Sequence, residues 1–168
     1  MNGTPADLCR AALDLTLARL PEGFIDRAPF EDAWIERLQD GTYGTRPAQL
    51  QLLALLPAED AWPQLSPVCD QRPSSAPVTF LLTLDHSASR LEREMRMHQV
   101  VQFAPYIVFV PVDDPATCPE HAAMDGRVAR ILPDKPRPEF VDWRWGCRCT
   151  TRQVNRRQLL AQGLTPPD

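Results

Sequence analysis

Lysine is almost missing from this chain: Lys135 is the only one, and arginine carries the rest of the basic charge. Beside abundant alanine, leucine and proline, that bias fits GC-rich coding and specifies no recognition chemistry by itself. No run of about 18 apolar residues occurs, which excludes a membrane-spanning helix from the expectations. The opening Met-Asn-Gly-Thr-Pro-Ala-Asp has no basic region ahead of an apolar core, so no secretory signal is expected there. The default setting is then a reducing cytosol, where clustered cysteines point to metal or reactive thiols before disulfides. A Gly-rich phosphate loop, His-Glu-X-X-His and Gly-X-Ser-X-Gly are all absent, so no common catalytic constellation is in view.

The chain has 168 residues, 43% of them hydrophobic, enough for a true core. Its 18 prolines favour short elements joined by stiff connections over long bundled helices. The net charge of −4 is unevenly spread, negative before Thr117 and positive after it. A basic tail of that kind suits phosphates or an acidic partner surface.

Apolar spacing predicts a helix over residues 6–20, stopped by Pro21, with Cys9 buried in it as an inert thiol. A second helix is expected over 29–38, where Phe30, Trp34 and Leu38 recur at helical period. A short third helix is expected over 49–56. Residues 57–77 read as irregular and proline-broken. Cys69 stands alone there, a fifth ligand candidate that no spacing supports. Residues 78–84 read as a buried strand and Asp85-His86-Ser87 as a turn exposing His86. A helix over 90–103 follows, with Ser89 and Glu92 as its capping box and His98 on its packing face. Residues 106–112 are the most strand-like stretch. The expected fold is α+β: amino-terminal helices over 1–77, then a domain over 78–168 with a small sheet and a loop-rich carboxy-terminal lobe. A last helix is expected over 154–162, with Gly163 as its cap.

The chemistry gathers between residues 114 and 152. Cys118 and His121 lie on a Cys-Pro-Glu-His knuckle, and Cys147 and Cys149 on a Cys-Arg-Cys segment. Four ligands of the Cys₃His type are what a closed tetrahedral zinc site requires, and such a site would clip together the spacer between its halves. Buried reduced thiols, or a disulfide, are the alternatives. Asp125-Gly126 is a strong turn signal. Trp143 and Trp145 flank Arg144, and alternation on a strand would place both indoles on one face. Those indoles either cover a small core or, with Arg144, Arg148, Arg152, Arg156 and Arg157, form a candidate nucleic-acid surface, which makes a zinc-stabilised DNA- or RNA-binding module one reading. A small nuclease or thiol-dependent hydrolase using His121 and Asp125 is another, although no third group orients such a pair.

Thr-Cys-Pro-Glu-His-Ala-Ala-Met-Asp-Gly-Arg-Val followed by Trp-Gly-Cys-Arg-Cys resembles the signature of phage Mu F-like proteins, the minor head or head morphogenesis proteins of tailed bacteriophages. The resemblance covers residues 78–152. It implies a helix, a strand, an aspartate at Asp113 or Asp114, the knuckle from Cys118 to His121, a Met-Asp-Gly turn at Asp125 and Gly126, a proline-containing spacer over 133–138, and Gly146-Cys147-Arg148-Cys149. It further implies a non-enzymatic role in capsid assembly or DNA packaging, with portal or capsid proteins and DNA as partners, in the bacterial cytoplasm or the virion. The chain departs from the family where a strand over 78–84 stands in place of a longer helical region.

Overall fold

A computed structural model of the chain describes every residue except 1–3, 43, 66–67, 73, 133–142 and 168. The spacer expected over 133–138 lies outside the described residues. The fold is α+β, with helices and one small three-stranded antiparallel sheet among the described residues. It divides into two compact units, Met1–Leu65 with Pro73–Ala88, and Ser66–Arg72 with Ser89–Asp168. Composition alone suggests a single break after residue 77.

In the first unit, α1 (Pro5–Leu17) opens with a capping box between Thr4 and Asp7 and a proline in its first turn. Helices α2 (Arg27–Gln39) and α3 (Arg46–Ala54) follow, the latter capped by Thr45. Each apolar stripe contributes to the buried core: Cys9, Ala12 and Leu13 from α1, Phe30 and Trp34 from α2, Ala48 and Leu52 from α3. A chain of aromatic contacts runs from Phe24 to Trp62 at 5.0 Å, on to Phe80 at 5.5 Å, and from Phe80 to Phe30 at 5.6 Å.

Phe80 marks the main correction to the sequence reading. Residues 78–84 are not a strand and 85–87 are not a turn; both belong to α4, a 24-residue helix over Ala76–Gln99. A short apolar run cannot be assigned by periodicity alone, and local signals decide this one. Pro77 sits in the first turn, and the Ser75 hydroxyl accepts from the Val78 amide at 3.5 Å. Thr83 donates its hydroxyl to the Thr79 carbonyl at 2.7 Å, and Ser87 does the same to Thr83, so these residues sit in the helix with their hydroxyls satisfied. Ser89 is thus mid-helix, not a cap, and His86 is half-buried in the helix instead of exposed in a turn. His98 is half-buried, as expected of a packing residue.

In the second unit, β1 (Tyr106–Val110) is the central strand, flanked by β2 (Val128–Arg130) and β3 (Thr150–Val154). It is apolar throughout because it is covered on both faces. Ile107 packs with Met97 of α4 and with Ile131, while Tyr106 and Val108 pack with Val154 and Leu159. Gln153 ties the end of α4 to the sheet, donating to the Met97 carbonyl at 3.0 Å and the Ala104 carbonyl at 2.7 Å. A one-turn helix α5 (Pro119–Ala122) carries the knuckle. The last helix, α6 (Arg156–Ala161), starts at an Asn155–Gln158 capping box, and Gly163 ends it at φ +72°. Trp143 and Trp145 are not on a strand; Trp145 forms an isolated parallel bridge with Val68.

Candidate metal centre

Three separate segments of the second unit converge on one point. The first is delivered by backbone bonds on both of its sides: the Cys69 amide donates to the Trp145 carbonyl at 2.8 Å, and the Gln71 amide to the Ala116 carbonyl at 2.9 Å. The second is the loop after β1. Asp114 folds it by accepting from the Ala116 amide at 3.0 Å, and Thr117 donates its hydroxyl to the Val112 carbonyl at 2.6 Å. Pro119 then starts α5, which turns His121 inward. The Met124-Asp125-Gly126 turn returns the chain to the sheet, where the Gly126 amide donates to the Phe109 carbonyl at 3.2 Å. Gly126 supplies the left-handed conformation this needs, at φ +71°, and Asp125 faces solvent. Gly146 makes the equivalent bend at φ +68° ahead of Cys147, on the third segment.

The donors that meet are Cys69, His121, Cys147 and Cys149. Their ligand atoms all lie within 4.8 Å of one another, and each residue is at most 3% exposed. His121 Nδ1 stands 3.2 Å from Cys69 Sγ and 3.4 Å from Cys147 Sγ. Ligand atoms bound tetrahedrally, at about 2.3 Å for sulfur and about 2.0 Å for nitrogen, stand roughly 3.5–3.8 Å apart, so this set is close enough to hold a metal ion. Cys118 is buried in the same cluster, with its Sγ 3.3 Å from that of Cys69, but it is not one of the four mutually close donors. All five cysteines are free thiols, so no disulfide joins the segments. No family model, curated protein or solved structure matches this chain. The site therefore has to be read from its own geometry.

Charge within the cluster is unevenly placed. Hydrogen bonds from the Cys147 and Cys69 thiols push Cys149 down to about 3, so it is the thiolate of the group. Cys147, the donor of one of those bonds, is held well above the usual thiol range by that bond and by burial. Burial likewise raises Cys118. The guanidinium of Arg90, on α4, stacks over the Trp143 ring at 4.0 Å and donates to the Cys147 carbonyl, bringing positive charge beside the thiolate. Phe109 lies 5.6 Å from the His121 ring and 5.9 Å from Trp143, closing the site with apolar surface.

Arg148 explains why an arginine stands between the two cysteines. On the extended segment Cys147 and Cys149 turn to the cluster, and Arg148 turns away from it. There it donates from Nε to Asp70 at 3.0 Å and from Nη2 to Asp114 at 3.0 Å. Asp70 follows Cys69 and Asp114 opens the knuckle loop, so one guanidinium joins all three segments. Burial alone would raise the carboxyl of Asp70, but hydrogen bonds from Arg72 and the charge of Arg148 outweigh it and hold the group below the usual carboxylate range. The Arg148 hydrogen bond lowers Asp114 in the same direction.

The structure brings together three of the four sequence-predicted ligands and adds Cys69. Sequence spacing gave Cys69 no partner because its neighbours in the site are remote in the chain. Its one available signal was Asp70, a carboxylate beside a lone cysteine able to pair with the arginine of Cys-Arg-Cys. The candidate nucleic-acid residues scatter. Trp145 is buried, Trp143 is covered by Arg90, Arg144 pairs with Glu120, and Arg148 is held between two aspartates. Arg152, Arg156 and Arg157 are exposed.

Proposed function

We propose that this chain is a phage-type minor head protein with a non-enzymatic role in capsid assembly or DNA packaging, and that its second unit is held by a structural zinc ion. The observation that carries the proposal is the convergence of both halves of the Mu F-like signature, together with Cys69, on one buried four-donor cluster. Four protein donors fill a tetrahedral ion's coordination shell, which suits a structural role; a catalytic zinc keeps a position open for water or substrate. Three thiolates and an imidazole are soft to borderline ligands and suit zinc over the hard cations.

The order of elements also supports the resemblance. Helix α4 leads into β1, then Asp114, the knuckle, the Met-Asp-Gly turn and Cys-Arg-Cys. The departure expected at residues 78–84, a strand in place of a longer helical region, is not found, since those residues lie in a long helix.

The direct experiment is a search of the neighbouring genes for a portal protein and co-expression with it, followed by size-exclusion chromatography. A complex with the portal, and heads defective in assembly or packaging when the gene is deleted, are expected. A host chromosome with no phage genes nearby and no complex with a portal would overturn the assignment. Exposed Arg152, Arg156 and Arg157 favour one further contact, with the packaged DNA. It would weaken steeply as salt rises, and no mobility shift even at low salt would remove it.

A further inference from the structure

Cys118 is a fifth donor in a site that needs four. Its Sγ touches that of Cys69 at 3.3 Å, yet it stands outside the set of four mutually close donors. A disulfide needs about 2.05 Å between sulfurs, so the pair must close by roughly 1.3 Å. The backbone between them is already fixed: the Gln71 amide bonds the Ala116 carbonyl at 2.9 Å, two residues from each cysteine. The two segments that carry the pair are thus already tied together beside it.

We propose that Cys69 and Cys118 are an oxidation site, joined as a disulfide by a hydroperoxide, and that joining them releases the metal. The release half of the proposal rests on the zinc reading above, as does the entry of Cys69 as a metal-held thiolate; the choice of Cys118 as its partner rests on the sulfur–sulfur contact alone. In the first step the Cys69 thiolate attacks the peroxide. Its bond to the metal breaks, a sulfur–oxygen bond forms, the oxygen–oxygen bond breaks, and hydroxide leaves to become water on taking a proton from solvent. The Cys118 sulfur then attacks that of Cys69. The sulfur–sulfur bond forms, the sulfur–oxygen bond breaks, and the second hydroxide leaves with the Cys118 proton as water. The two sulfurs together lose two electrons and the two peroxide oxygens gain them. Only His121, Cys147 and Cys149 then remain on the ion, an incomplete set for a closed site.

The test treats the full-length zinc-loaded chain with hydrogen peroxide. Zinc release is followed with a chromogenic chelator, and disulfides are mapped by mass spectrometry of alkylated peptides, in the wild type, Cys118→Ser and Cys118→Ala. A single Cys69–Cys118 linkage, loss of two free thiols, and zinc release at least several-fold slower in both variants are expected. A first linkage between Cys147 and Cys149, or variants that release zinc at the wild-type rate, would overturn the proposal. If the wild type carries no zinc, the zinc reading has failed by itself, and the peptide map still decides the Cys69–Cys118 pair.

Discussion

Replacing Arg148 by methionine isolates the clamp from the cluster it serves. The side chain is 19% exposed, and its partner Asp70 is 7% exposed. Removing one member of a buried ion pair generally costs about 3–5 kcal/mol, because the other charge is left uncompensated. Asp70 keeps Arg72, whose Nε donates to it at 3.0 Å, so the cost here falls at or below the bottom of that range, about 2–3 kcal/mol. Asp114 has a third of its side chain in water and adds little. The assay is chemical denaturation followed by tryptophan fluorescence, to which Trp143 and Trp145 contribute from the second unit and Trp34 and Trp62 from the first. Asp70→Asn should cost less than Arg148→Met, and the double variant should cost clearly less than the sum, since both remove the same contact.

Acid provides an independent check on the same pair. Asp70 and Asp114 are depressed in the folded state, so their contribution is fully present above the unfolded value near pH ~4 and is lost as the pH falls through the folded values. The gap between wild type and Arg148→Met is therefore full at neutral pH and narrows in acid. An Arg148→Met variant within about 0.5 kcal/mol of wild type at neutral pH, the range of ordinary surface changes, would refute the clamp.

Two further outcomes follow from the site and its approach. Zinc loading in weakly buffered solution at neutral pH should release fewer protons than the three thiolates bound, because Cys149 is already ionised; release of three or more would contradict that charge placement. Gly126→Ala should destabilise by about 1–2 kcal/mol from backbone conformation alone, since an added Cβ meets only the Leu164 side chain, at an ordinary 3.6 Å. A thermal melt unchanged from wild type would show that this turn does not need its left-handed residue.

Much of the second unit is legible before any coordinates. The run from Tyr106 to Val110 is apolar at every position and lies in the sheet centre, and Gly163 marks the end of α6. The partner strands are harder to see. Val128–Arg130 is three residues long, and Thr150–Val154 is polar at four of its five positions, so neither has a pattern of its own; pairing with β1 defines them. Residues 78–84 mislead because β-branched and aromatic residues mimic a strand, while Phe80 and Leu84, four apart, are buried on a helix. Three of the four donors of the candidate metal centre, His121, Cys147 and Cys149, follow from Cys-X-Cys and Cys-Pro-Glu-His spacing. Cys69 does not, since a ligand brought in by a tertiary strand-like contact leaves no local period. Arg148 reads from sequence as a surface cation; only the fold sets Asp70 and Asp114 around it.

The most direct test of the central claim is metal content per chain, measured by inductively coupled plasma mass spectrometry on protein purified without chelator, for the wild type, Cys69→Ser and Cys118→Ser. The account predicts one zinc in the wild type and in Cys118→Ser, and none retained by Cys69→Ser. A zinc-free wild type, or zinc kept by Cys69→Ser and lost by Cys118→Ser, would contradict it.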